Sequence, residues 1–306
     1  MSTTIQQKKH INWVHEMDFI GIHLVPLLAF FTGTRWFDWI LCAVLYVVRM
    51  FFVTGGYHRY FSHRSYKTSR WFQFILAAGA QSSLQKGALW WAANHRVHHK
   101  HSDTEDDPHS AKIYGFWYAH IGWIMSKDHK ETRYDLIKDW KDHKELHWLN
   151  KYHWVPAVAL AVAVYFVGNK VNGTGWFDWG AGVSTLLIGF FLSTVLLYHG
   201  TFTINSLMHK IGKPRYKTGD ESRNSLVLAL VTLGEGWHNN HHYYQSATRQ
   251  GFYWWEIDIT YYVIRTLGAL GIVWDIRGVP AKVKESNKVG TNAAPVPIAE
   301  PEEVER

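Results

Sequence analysis

The sequence predicts an all-α membrane protein, with four transmembrane helices in two hairpins capped by a helical cytosolic domain that carries a dinuclear metal site. Three observations predict it. Four apolar segments fall in two closely spaced pairs, the basic residues gather on one side of those pairs, and histidines cluster at three places beside apolar segments.

The apolar segments run over 19–32, 36–56, 154–168 and 182–202. A perpendicular span takes roughly 20 residues, so the first and third are short and must extend into flanking Trp and Tyr or meet a thinned bilayer. Lys8 and Lys9 precede the first segment, the stretch from Tyr57 to His153 holds 15 Lys and Arg, and the two short connections hold only Arg35 and Lys170. The positive-inside rule then places both termini and the long central stretch in the cytoplasm. No signal-peptide pattern precedes the first segment, which is expected to stay as a span.

This divides the chain into a cytosolic segment over 1–17, a membrane domain over 18–283 and a tail over 284–306. The cytosolic parts of the membrane domain, 57–153 and 203–283, hold the histidines. Residues 71–93 read as helices at or just under the membrane, and 130–152 as one amphipathic interfacial helix. The tail, rich in Pro, Ala, Glu, Asn and Lys, reads as disordered. Arg49 is costly inside the second span and should snorkel or pair with a buried acid.

The 306 residues include 17 Trp, with 16% aromatic residues overall, which suits interfacial belts. The single cysteine, Cys42, excludes an internal disulfide and a cysteine-based zinc or iron–sulfur site. The net charge of +7 is spread among acids and beside apolar segments. That distribution fits an anionic membrane surface and gives no sign of a nucleic-acid partner.

The 20 histidines are far more than packing needs. His58 and His63 sit in H-R-Y-F-S-H, His95, His98 and His99 in H-R-V-H-H, and His238, His241 and His242 in H-N-N-H-H. A helix turns about 100° per residue, so H-x-x-H-H is expected to put three imidazoles on one face. The pair at i, i+5 is about 140° apart on an α-helix and needs a backbone change, for which Gly55 and Gly56 are candidates. Asn205 and His209 form a further pair at i, i+4. Nine clustered histidines exceed what one tetrahedral zinc takes and suit two metals. Imidazole serves iron, zinc, copper and nickel alike. Asp103, Asp106, Asp107 and Glu235 are candidates to hold the imidazoles from behind.

These boxes resemble those of the integral-membrane acyl desaturases, specifically the stearoyl-CoA (Δ9) desaturase group. The matching stretches are G-G-Y-H-R-Y-F-S-H-R-S-Y-K from Gly55, N-H-R-V-H-H-K-H-S-D-T-E-D-D-P-H from Asn94, A-H-I-G-W from Ala119, I-N-S-L-M-H from Ile204 and G-E-G-W-H-N-N-H-H from Gly234. The resemblance covers about residues 18–280 and implies two irons (a di-iron centre) held by His58, His63, His95, His98, His99, His209, His238, His241 and His242. Asn205 matches an asparagine that reaches a metal through a water. Tyr46 and Met50 lie where the family closes its acyl tunnel, and Met50 is expected to shorten the tunnel. The family's animal members carry Arg-Asp where this chain has Ala93 and Asn94, and a basic pair where it has Lys127 and Asp128. The expected carrier is CoA, with lipid and carrier-protein esters left open.

The implied reaction joins a saturated acyl chain, O2, two electrons and two protons to give a cis-unsaturated chain and two waters, with Δ9 the expected position. Removing hydrogen from an unactivated chain needs a metal–oxygen cofactor, because no side chain can do it. The sequence holds no dinucleotide fingerprint and no cysteine cluster, so electrons are expected from a separate ferredoxin, rubredoxin or cytochrome b5 type protein. An acyl or alkane hydroxylase would use the same site and is the alternative outcome. A membrane transport protein fits less well, because the histidines follow the spans rather than lying at mid-membrane.

Overall fold

The computed structural model describes residues 17–173 and 179–291. Helix α1, Met17–Thr32, is broken by a 3-10 turn at Val25–Leu28, where Pro26 has no N–H to give an α-helix. At 1.5 Å per residue it spans about 24 Å, short of a bilayer core. Three helices are long and apolar enough to cross a membrane among the described residues. They are α2 (Trp36–Ser62), α6 (Val155–Asn172) and α7 (Trp179–His209). Between α2 and α6 lie α3 (Arg70–Gln81), α4 (Ala88–His101) and α5 (Lys144–Lys151). After α7 come α8 (Leu226–Val231), α9 (His238–Tyr243), α10 (Ile259–Ala269) and α11 (Ala281–Glu285). The two-residue strands β1 (Lys67–Thr68) and β2 (Val273–Trp274) pair antiparallel and tie the end of α2 to the segment after α10.

Buried polar groups fix the membrane helices against each other. Asp38 is wholly buried in the first turn of α2 and accepts from the Arg35 backbone N–H at 2.9 Å, from Thr185 Oγ1 at 2.6 Å and from Asn172 Nδ2 at 2.8 Å. One carboxylate thus caps α2 and holds the ends of α6 and α7. Gly168 lets α6 and α7 touch, since a Cβ there would meet Thr185 at 2.4 Å. The expectation of an acidic partner or a snorkelling path for Arg49 is corrected. Its guanidinium is buried and donates to Thr194 Oγ1 (2.7 Å), Ser193 Oγ (2.5 Å) and the Ser82 carbonyl (3.3 Å). Hydroxyls and a carbonyl satisfy the fork, and Phe190 lies under its plane.

Two further expectations change. Residues 130–152 are not one helix, because 3-10 turns at Tyr134–Leu136 and Lys138–Trp140 precede α5. Arg96 takes the Leu136 carbonyl at 2.9 Å and the Asp139 carboxylate at 2.8 Å, which removes an acceptor that a continuous helix would use. The expectation of disorder from 284 is corrected for residues 284–291. Residues 284–291 complete α11 and continue through a Lys288–Tyr216 bridge, and Ser286 Oγ bonds Tyr243 Oη at 2.5 Å. Residues 1–16 and 292–306 lie outside the described residues.

Candidate metal centre

The first histidine pair owes its geometry to a change of helix type. From Phe52 to Ser62, α2 winds as a π-helix, and the His63 N–H donates to the His58 carbonyl at 3.2 Å. In i→i+5 bonding, residues five apart sit on neighbouring rungs. That brings two imidazoles together that an α-helix would splay, and their rings lie 4.8 Å apart.

The two H-x-x-H-H boxes divide rather than point one way. Nitrogens of His58, His63, His95, His99 and His241 gather in one group, and those of His98, His209, His238 and His242 in another, all within 4.8 Å inside each group. On α4 the i, i+4 pair His95 and His99 serves the first group and His98 the second. On α9 the i, i+4 pair His238 and His242 serves the second and His241 the first. The expectation of three imidazoles on one face is corrected here. Residues four apart are turned by only about 40°, whereas adjacent ones differ by about 100°, so each box addresses two centres. Each centre is therefore built from both boxes.

The nitrogens are spaced as metal ligands would be. Nε2–Nε2 separations are 3.0 Å for His58–His241, 2.8 Å for His63–His95, 3.0 Å for His99–His241 and 3.1 Å for His209–His238. Ligands about 2.1 Å from one ion and at right angles lie roughly 3.0 Å apart. His242 Nε2 is buried with no hydrogen-bond partner, a lone pair turned toward the centre of its group. The donor set fits two metal ions.

Carboxylates hold four of the rings from behind. His58 Nδ1 lies 2.5 Å from Glu235, His98 Nδ1 3.0 Å from Asp107, His209 Nδ1 2.9 Å from Asp103 and His242 Nδ1 2.6 Å from Asp220. Each contact fixes the ring and its tautomer with Nε2 facing inward. Asp103, Asp107 and Glu235 thus stand where expected. Asp106 does not, since its side chain is 81% exposed and 3.8 Å from His101. Asp220 was missed, because it lies far from His242 in sequence and no periodic pattern joins them. Also unforeseen were Arg59, which donates to Glu235 at 2.9 Å and to Asp258 at 3.1 Å, and Gln250, which donates to Glu235 at 2.7 Å.

Burial, reinforced by neighbouring imidazoles, pushes His95, His99, His238 and His241 well below the usual histidine range. The neutral ring, which is the ligand form, is therefore favoured. Burial would raise the Asp103 carboxyl, but the His209 contact and the Glu221 N–H outweigh it and hold it down at about 2. His58 and Arg59 do the same for Glu235, also at about 2.

A mainly apolar cavity runs up to this centre. Its lining includes Trp90, Trp91, Tyr198 and Phe202 together with His58, His95, Asn205 and Glu235. His109, buried with its ring tilted against that of His98 at 4.3 Å between centroids, lines it too. Tyr46 and Met50 stand just outside. Val53 and Thr54, one turn further along α2, line the cavity, while Met50 is wholly buried against Leu197 and Leu233. Tyr46 Oη donates to the Val231 carbonyl at 2.7 Å. A Cβ at Gly200 would meet Tyr46 at 2.6 Å and Met50 at 2.9 Å, so the packing of these two side chains depends on a bare backbone there.

Residues 34–274 match the fatty acid desaturase family. The chain is 35% identical over 286 residues to the sn-1 stearoyl-lipid 9-desaturase of Anabaena variabilis, covering 90% of this chain and 98% of that protein. It is 33% identical over 301 residues to Delta-9 acyl-lipid desaturase 2 of Arabidopsis thaliana, covering 92% and 91%. It is 34% identical over 290 residues to the acyl-CoA C20 Delta5-desaturase of Anemone leveillei, covering 91% and 88%. Relatives at similar identity thus differ by name in both acyl carrier and double-bond position.

Proposed function

This chain belongs to the fatty acid desaturase family, and on that premise we propose that it is an O2-dependent desaturase placing a cis double bond at Δ9 of a saturated long-chain acyl group. The observation that carries the proposal is the pair of histidine groups, five and four, beside an apolar cavity that His58 and His95 of the first group line. Two irons held there, with O2 and electrons from a ferredoxin, rubredoxin or cytochrome b5 type donor, supply the oxidation that no side chain can perform.

The chain's own residues do the rest. The nine imidazoles present ring nitrogens to the two groups, and Glu235, Asp107, Asp103 and Asp220 keep His58, His98, His209 and His242 aimed and would offset the charge of bound ions. Asn205, which lines the cavity, would help hold a metal through a water. The apolar walls hold the acyl chain beside the centre and decide which carbons react. Tyr46 and Met50 stop the methyl end. The enzyme is an integral membrane protein with four spans, α1 serving as the shortest, and with termini and centre on the cytoplasmic side.

CoA and membrane lipid are the two carriers to distinguish, and one observation favours lipid. Lys86 is the one Lys or Arg lining the cavity among the described residues. The neighbouring cleft over Lys127–Asp135, which Trp90 joins by donating to the His129 carbonyl, holds three basic and three acidic side chains. A polyanionic CoA headgroup would meet no excess of positive charge there.

Gas chromatography–mass spectrometry of membrane fatty acids tests the proposal, in a host that expresses the chain and supplies a compatible donor. New cis-Δ9 monoenes, absent with His98→Ala, are expected, and they should appear in intact lipids before the acyl-CoA pool. Hydroxylated chains would move the reading to a hydroxylase. No new acyl product, with the protein present in the membranes, would overturn it.

A further inference from the structure

We infer that the short helix α8 (Leu226–Val231) and the turn at Trp254–Trp255 are inserted into the same bilayer that holds α2, so that the third histidine box hangs from a membrane-embedded element. The inference rests on the membrane-spanning reading of α2 and goes beyond it, since neither segment can cross a membrane.

Depth comes from α2. Tyr46 belongs to the apolar stretch of that helix, and its hydroxyl is bonded to the Val231 carbonyl at the end of α8. The last turn of α8 therefore lies at the level of Tyr46, among side chains such as Val44 and Val47 that face outward from α2. The sequence of α8, L-V-L-A-L-V, carries no charge, and its outer face is bare, with Val227 70% exposed and Leu230 46%. In water this would be an unusual apolar patch, but against hydrocarbon it continues the surface of α2.

The turn at 254–255 adjoins it. Trp237 Nε1 donates to the Ile257 carbonyl at 2.8 Å, and the Thr260 N–H donates to the Leu233 carbonyl at 2.8 Å. These bonds hold the 254–257 turn beside the end of α8. Trp254 is 81% exposed and Trp255 54%, and Trp is the residue type enriched where hydrocarbon meets headgroups. The link to the metal centre is covalent and tight. A Cβ at Gly236 would meet the Ala229 backbone nitrogen at 2.1 Å, so α8 is packed directly on the turn that carries Glu235 and His238.

The test uses the full-length holoenzyme in phospholipid nanodiscs. Nitroxide labels are placed singly by Val227→Cys and Trp254→Cys in a Cys42→Ser background, with Trp39→Cys as the spanning control and Lys282→Cys as the aqueous one. Val227 and Trp254 labels that collide with dissolved oxygen in preference to a water-soluble nickel chelate, as Trp39 does, are the expected result. Labels that behave like Lys282 while Trp39 stays lipid-exposed would overturn this inference and leave the desaturase reading intact. An aqueous Trp39 label would overturn the spanning reading and this inference with it. If labelling unfolds the protein, an acyl-chain diazirine lipid on the unmodified enzyme decides. Adducts on peptides covering 226–231 and 254–257 support the insertion, and adducts confined to the spanning helices overturn it.

Discussion

The two histidine groups are built from the same two boxes, yet their surroundings differ. The five-histidine group has one carboxylate behind it, Glu235 on His58, while His99 and His241 leave Nδ1 buried without a partner. The four-histidine group has three, Asp107, Asp103 and Asp220, and only His238 leaves Nδ1 without one. The group with fewer imidazoles thus has more negative charge behind them. Neutral ligands leave the charge of an ion uncompensated, so carboxylates behind the rings should matter most where ligands are fewest. A site with four protein ligands also leaves more room for water or O2 than one with five.

Substitutions can break that contrast, from the largest effect to the smallest. His98→Ala removes a ligand from the smaller group and should bring desaturation to background, read as product per chain. Asp220→Asn and Asp103→Asn should each weaken metal retention at the smaller group by roughly 10–100-fold, read by chelator titration. Glu235→Gln, made behind the group with five imidazoles, should cost less metal. If Glu235→Gln costs as much as Asp220→Asn, the two groups do not differ in the way described. Arg59→Met should destabilise the fold by about 3–5 kcal/mol, measured by denaturation, because it strands buried carboxylates at Glu235 and Asp258. Met50→Ala should shift products toward longer chains with little loss of rate. Asp106→Asn should change neither activity nor metal content, because that side chain faces solvent.

Much of this was legible in the sequence. Residues 36–56 and 182–202 are apolar over lengths that only a membrane helix or a deep core uses, and α2 and α7 contain them. The histidine boxes were readable as clusters, but their single-face reading was too coarse, because the adjacent histidines in each box are turned by about 100° and serve different groups. Less legible were features that depend on partners distant in the chain. The π-helix at Phe52–Ser62 changes the meaning of the His58–His63 spacing, and only Gly55 and Gly56 hinted at it. Asp220 meets His242 through a loop whose path the sequence does not encode locally. Residues 130–152 show a helical pattern, yet Arg96 takes one of the carbonyls and a carboxylate from it. The first apolar segment was seen to be short, and Pro26 shows why its helix is irregular.

The central claim is that the two groups are two metal sites of one centre. The most direct measurement is elemental analysis by mass spectrometry of active, purified enzyme, with iron counted per chain beside His242→Ala. Two irons in the unaltered chain are expected, and one in His242→Ala, retained by the five-histidine group. A single iron per fully active chain, or full activity with zinc filling both groups, would contradict the account.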